Sequence, residues 1–180
     1  MFFVEIKYLD KVSYDYFPLH YSYGTDEHYE VSLQDEKGRM SYTLTRKPYG
    51  KTVKKENTDT LYQDTFPNAE AYAAVDDDGN ECGYVEFDTE EWNNRLRMTQ
   101  LLVKPEYRGC GVGKFLVDFV KGVASEREYR IIVLETQNYN VPAIDFYRSQ
   151  GFTFCGGNVY FYSNEDIEDD EVMLEMAFLL

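Results

Sequence analysis

The chain has 180 residues, enough for one ordinary domain with a sizeable core, and 17 Tyr and 12 Phe to help fill it. Its formal net charge of −15 argues against nucleic-acid binding, which needs clustered Lys and Arg, and no apolar run approaches the roughly 20 residues of a membrane helix. Three cysteines make an odd count without metal-ligand spacing, which fits reduced thiols in a cytoplasmic protein.

The start, Met1-Phe2-Phe3-Val4-Glu5-Ile6-Lys7, meets charge too early for the apolar segment of a signal peptide. Phe2 to Leu9 reads as a strand. Lys11 to Asp26 has many tyrosines without a clean period and reads as loop with a short helix. Tyr29 to Gln34 and Met40 to Thr45 alternate apolar and polar residues around a break containing Gly38, the pattern of a hairpin. Lys47 to Asn68 is polar, holds Pro48, Gly50 and Pro67, and reads as a long surface excursion of the kind that grips a substrate.

From Ala69 the pattern tightens. Ala71 to Val75 and Glu81 to Asp88 form strands about the turn Asp76 to Asn80. Glu91 to Asn94 is a further turn, and Arg95 to Val103 a strand. A helix follows to about Arg127, apolar at Val112, Phe115, Leu116, Phe119, Val120, Val123 and Ala124. Arg130 to Thr136 has the continuous apolar run of a buried strand. Val141 to Arg148 is a short helix with Asn140 as N-cap and Pro142 in its first turn, closed by Gly151. Phe152 to Cys155, Val159 to Tyr162 and Val172 to Leu180 complete the strands. No internal repeat or linker divides the chain. It reads as one domain, 1–180, with a variable N-terminal segment, 1–68, and a core, 69–180. Glu175 to Leu180 reads as an edge strand able to pair two subunits into a homodimer. His20 and His28 are too isolated to suggest a metal pair.

The strand-to-helix junction Arg108-Gly109-Cys110-Gly111-Val112-Gly113-Lys114 is the chemically informative stretch. Free backbone N–H groups converge there before the positive end of a helix dipole, and glycine admits close approach and positive φ. The expected guest is a phosphate or pyrophosphate. A Walker loop fails, because Arg108 and Phe115 stand where Gly and Ser or Thr are needed. A dinucleotide fingerprint fails at Lys114, where the third Gly is due.

What fits is the Arg-x-x-Gly-x-Gly signature. Further on, Asn140-x-x-Ala143-x-x-Phe146-Tyr147-x-x-x-Gly151-Phe152 resembles a second motif in the right order. On both motifs the chain resembles the GNAT family of N-acetyltransferases. The resemblance sharpens towards the streptothricin (nourseothricin) acetyltransferases through Gly83-Tyr84-Val85, Trp92 to Leu96, Leu134 to Asn140 and Ala143 to Cys155. It implies an α/β (α+β) fold with a central mixed, mostly antiparallel sheet, flanking helices and an acetyl-CoA-binding strand-loop-helix. It also implies transfer of an acetyl group from acetyl-CoA, without a metal, to an amine of a small cationic antibiotic. The acidic composition suits such a partner, and equally suits general solubility.

Residue by residue, the resemblance places acetyl-CoA on Leu101, Leu102 and Val103, on Arg108, Gly109, Cys110, Gly111, Val112, Gly113 and Lys114, and on Asn140, Ala143 and Tyr147. A backbone N–H near Leu102 or Val103 would meet the oxyanion, and Tyr147 would protonate the departing thiolate. Cys110 is read as incidental as a thiol. One departure matters. The relatives carry an acidic pair where this chain has Thr99 and Gln100. An ammonium with pKa near 10.4 must lose a proton before it attacks, so the base must come from Glu86, Asp88 or Glu135, with Glu135 favoured. Glu86, Asp88, Trp92 and Glu135 are the candidate substrate contacts. Acetylation of a polyamine, an aminoglycoside or a protein amine, and a non-catalytic acyl-CoA-binding module, are the alternatives.

Overall fold

The computed structural model describes residues 4–180, so Phe2 and Phe3 of the expected first strand lie outside the described residues. The chain folds into two compact units, each drawing on residues from both sides of position 68. The first unit comprises the chain up to Tyr21, Asn57–Leu134 and Ala177–Leu180; the second comprises Ser22–Glu56 and Glu135–Met176.

In the first unit, β1 (Val4–Leu9) lies antiparallel to β4 (Glu70–Asp76), β4 to β5 (Glu81–Glu90), and β5 to β6 (Arg95–Val103). The β4–β5 turn forms as expected. Asp76 Oδ1 accepts from the Asp78 and Asn80 N–H groups, and Gly79 takes the positive φ the turn needs. β6 then pairs in parallel with the first half of β7 (Ile131–Gln137), from Arg95 opposite Ile131 to Met98 opposite Leu134.

Helix α2 (Val112–Glu126), which follows the short α1 (Lys11–Tyr14), buries Val112, Leu116, Val117, Val120 and Ala124 against β4, β5 and β6. That face is one the 3.6-residue period dictates, although Val117 is buried in it while Phe115, Phe119 and Val123, also expected there, are half-buried. Leu9, Leu19, Leu61, Tyr62, Ala71, Ala73, Tyr84 and Leu102 make a buried cluster in the same unit. Each such large apolar side chain contributes about 1.5–3 kcal/mol by leaving water. Gly83 lets β5 and β6 close up there, since a Cβ on it would stand 2.7 Å from the Leu102 carbonyl oxygen.

The second unit holds most of a two-stranded sheet, β2 (Pro18–Glu36) with β3 (Arg39–Thr60). It also holds the end of β7, α3 (Val141–Ser149), β8 (Thr153–Asn158) and the start of β9 (Met173–Leu179). The expected hairpin is real but far longer than its alternating core. Lys47 to Thr60 is strand, not excursion. Its polar composition hid it because Lys47, Lys51, Lys54 and Glu56 are exposed on a sheet of only two strands, where a strand also keeps one unpaired edge that tolerates Pro48. Val159 to Tyr162 is turn rather than strand. The buried Asp166 carboxylate accepts the N–H groups of Phe161, Tyr162 and Ser163 and bends the chain around itself. β9 lies between β7 and β8 in the sheet order. It is therefore an interior strand, and the expected edge pairing of Glu175 to Leu180 between subunits loses its basis. Among the described residues no helix is long and apolar enough to cross a membrane.

Asn138 organises the second unit. It is 1% exposed, and its amide donates to the Tyr29 carbonyl and to Asp170 Oδ1 and accepts from the Val172 N–H. Asn138→Ala strands these buried partners, each worth about 1–3 kcal/mol when unmet. Thermal melting should show Tm lowered by about 6–12 °C; an unchanged Tm would contradict this role.

Candidate active site

The candidate cofactor site of the first unit is built by one strand and the loop after it. The parallel register of β6 with β7 ends at Met98, yet β6 runs on to Val103. Its last five residues, Thr99–Val103, span roughly 16 Å and keep an edge that β7 does not pair. A bulge marks the point of departure. Phe87 faces Met98 and Glu86 faces Gln100, so Thr99 is the extra residue on β6, a device that re-aims neighbouring side chains.

After Val103 a 3₁₀ turn, Pro105–Tyr107, leads into the glycine loop. Gly109 and Gly111 have φ of +76° and +90°, and a Cβ on either would meet nothing within 4 Å. Gly111 is the N-cap of α2 and offers no side-chain cap. The first N–H groups of the helix thus have no side-chain cap and lie at a positive dipole end, which fits an anionic guest. Arg108 is exposed, and its Nε donates to the Val103 carbonyl at 3.2 Å, tying the loop to the end of β6. Cys110 is an exposed thiol. Val112 is buried as the first core residue of the helix. Lys114, one residue past Gly113, forms an i,i+4 pair with Asp118 on the exposed face of α2.

In the second unit Asn140 caps α3, its Oδ1 accepting from the Ala143 N–H at 3.3 Å. Tyr147 projects from α3, is 9% exposed and packs edge-on to Phe146 and tilted against Phe152. Burial raises its phenol well above the usual value, so it keeps its proton at neutral pH. Glu135 is exposed, and its Oε1 accepts from the Tyr162 hydroxyl at 2.7 Å.

The remaining candidates lie in the first unit and are unlike one another. Trp92 is 84% exposed on the turn Glu91–Asn93. Asp88 is buried and accepts from the Asn68 and Thr89 N–H groups. Glu86 is fully buried, with Oε1 accepting from the Thr99 hydroxyl at 2.7 Å and Oε2 from the Tyr62 N–H at 2.5 Å. Burial above all, then the nearby charges of Asp59 and Asp88, pushes its carboxyl above the ordinary range.

Sequence reasoning missed two members of this group. Gln100 accepts from the Tyr21 hydroxyl at 2.7 Å and donates from Nε2 to Asp59 Oδ2 at 2.8 Å. Asp59 and Tyr21 fell in stretches read as loop. The only trace of the group in the sequence is the replacement of two acids by two hydrogen-bonding neutrals at Thr99 and Gln100.

The raised Glu86 carboxyl gives a stability prediction. Its folded pKa lies above its unfolded value, so the protein loses stability as pH rises from the unfolded pKa through the folded one. Glu86→Gln keeps the shape and removes the charge. The Tm of the variant should gain on the wild type between pH 4 and pH 8; a constant difference would show that the carboxyl is not raised.

Known proteins can be set beside this geometry. The profile of the acetyltransferase (GNAT) family matches residues 39–152. The streptothricin acetyltransferase of Streptomyces lavendulae is 33% identical over 106 residues, a match spanning 59% of this chain and 56% of the relative. A solved nourseothricin acetyltransferase superposes with a TM-score of 0.75 at 29% identity, covering 98% of each chain. A Bacillus anthracis structure assigned to the streptothricin acetyltransferases, in complex with acetyl coenzyme A, has a TM-score of 0.71 at 26% identity and covers 98% of this chain and 99% of its own. The expected fold, a mixed sheet dominated by antiparallel strands, is the one observed. With the family profile matching well over half of its residues, the chain belongs to the acetyltransferase (GNAT) family.

Proposed function

We propose that the protein transfers the acetyl group of acetyl-CoA to a primary amine of a small cationic substrate of the streptothricin type. The observation that carries this reading is the likeness to a nourseothricin acetyltransferase along 98% of both chains, joined to an open glycine loop at an uncapped helix N-terminus. The net charge of −15 favours a cationic partner over a nucleic acid.

The residues present fit acetyl-CoA. The backbone N–H groups of Gly109–Lys114 take the pyrophosphate, with Arg108 adding charge. Lys114 contributes when it leaves Asp118. The free edge of Leu101, Leu102 and Val103 offers backbone groups to an extended amide-bearing arm, as a sheet edge accepts a further strand. In the second unit, Asn140 and Ala143 are the further candidates for acetyl-CoA that the family resemblance gives. When bound, the group supplies a thioester carbonyl open to attack by an amine.

Two proton transfers frame the chemistry. Freeing an amine of pKa about 10.4 at pH 7 costs about 4.6 kcal/mol, so a base matters greatly. Protonating a thiolate whose thiol has pKa near 8.5 matters less, at about 2 kcal/mol. Tyr147, held protonated, is the donor to that sulfur. Glu135, exposed and steadied by Tyr162, is assigned to a substrate ammonium, with Trp92 as an exposed apolar contact.

A second reading, an acyl-CoA-binding module without turnover, is favoured by the neutral Thr99 and Gln100. Thiol release from acetyl-CoA with purified protein separates the two. Rapid turnover with streptothricin is expected, and Tyr147→Phe should lower kcat about 10–100-fold while KM for acetyl-CoA stays put. Turnover only with polyamines or aminoglycosides would move the substrate. Tight acetyl-CoA binding with no turnover on any amine would overturn the enzyme reading. Unchanged turnover in Tyr147→Phe would remove that residue's role.

A further inference from the structure

The two positions where the resemblance leads one to expect acids hold neutral side chains here, and each of these makes a hydrogen bond to a carboxylate from another element. Thr99 Oγ1 donates to Glu86 on β5, and Gln100 Nε2 donates to Asp59 at the end of β3. We propose that Asp59, presented across Gln100, and not Glu135, is the carboxylate that takes the proton of the substrate ammonium, and that Glu86 is the positioning residue that fixes it there. This rests on the acetyl-transfer reading above and assigns the base within it.

Accessibility separates the two carboxylates. Glu86 is sealed, with one oxygen on the Tyr62 N–H and the other on the Thr99 hydroxyl. Asp59 is only half-buried. Its Oδ1 accepts from the Thr60 N–H and from Gln63 Nε2, and its Oδ2 from Gln100 Nε2. A carboxylate has about four acceptor sites, so Oδ2 retains one for an ammonium or a bridging water.

The surroundings over-determine that geometry. Gln100 is 6% exposed, and its orientation is fixed from both ends, by the Tyr21 hydroxyl donating to Oε1 and by Asp59 accepting from Nε2. The turn after Asp59 passes through Tyr62, a non-glycine residue with φ of +57°. Such a conformation is strained and persists only where neighbours enforce it. Here Glu86 grips the Tyr62 N–H, while the Tyr62 hydroxyl donates to the Leu9 carbonyl and accepts from the Ala71 N–H. Glu86 thereby ties the Asp59 turn to the bulge at Thr99 on β6.

The step balances without further reagents. One ammonium proton passes to Asp59 Oδ2, directly or through one water, and then to solvent. The nitrogen lone pair forms the C–N bond as the C–S bond breaks. A second nitrogen proton ends on the departing sulfur, so each transfer releases one proton.

A charge exchange tests this. Wild type, Asp59→Asn, Gln100→Glu and the double variant Asp59→Asn with Gln100→Glu are compared by thiol release with the best amine, with CoA binding as the check on folding. Asp59→Asn should lower kcat about 100-fold and leave KM for acetyl-CoA unchanged. Gln100→Glu should also lower kcat, because it removes the donor and sets two carboxylates together. The double variant reverses the hydrogen bond, with the Asn amide donating to a carboxylate on β6, and should recover at least tenfold over Asp59→Asn. Wild-type turnover that Asp59→Asn matches, or a double variant no faster than Asp59→Asn, would overturn the assignment while leaving acetyl transfer standing. A wild type that turns over no amine would refute both.

Discussion

A parallel pairing that stops early shapes the candidate site of this protein. β6 follows β7 for four residues, from Arg95 to Met98, and then continues alone on that side for five more. Unpaired strand backbone is expensive to bury and hazardous to expose, and an extended ligand can satisfy it as an added strand would. The glycine loop begins where the edge ends, and Arg108 binds the two together through the Val103 carbonyl. An edge that β7 does not pair and a glycine loop at a helix start thus follow one another along one continuous piece of chain. Gly83 supports the arrangement from the other side, letting β5 press close enough to hold β6 firm.

Around that edge the protein arranges charge by exchanging hydrogen bonds between strands. A bulge at Thr99 aims one neutral side chain at Glu86, and the next residue, Gln100, reaches Asp59. Two carboxylates placed side by side on β6 would repel each other. Here the two carboxyls sit on neighbouring elements, each held by a neutral donor from β6, and the repulsion that remains, together with burial, raises Glu86. The sealed Glu86 and the half-buried Asp59 then differ in what they can do: one fixes backbone, the other can meet solvent and substrate.

Much of this was legible in the sequence where local periodicity and local chemistry agree. The β4 and β5 hairpin, β6, α2 and α3 appear with nearly the expected bounds, because alternation, the 3.6-residue period, Asn140 as a cap and Gly79 in its turn all act over short range. The glycine loop was legible for the same reason. What failed was non-local. The strand running to Thr60 is polar because it belongs to a two-stranded sheet, and no window of residues reveals how many strands a sheet will have. Val159 to Tyr162 looked like a strand until the carboxylate of Asp166 claimed its N–H groups. Asp59 carries no signal in its own neighbourhood. Its meaning comes from Gln100, 41 residues away, and so depends on tertiary contact alone.

In the proposed reaction the free edge of β6 and the glycine loop together receive CoA. Hydrogen exchange of the backbone amides with and without CoA tests it most directly, since exchange reads the occupancy of the very groups invoked. CoA should slow exchange within Thr99–Val103 and across Gly109–Lys114. CoA binding that leaves both segments exchanging at their unliganded rates would contradict it.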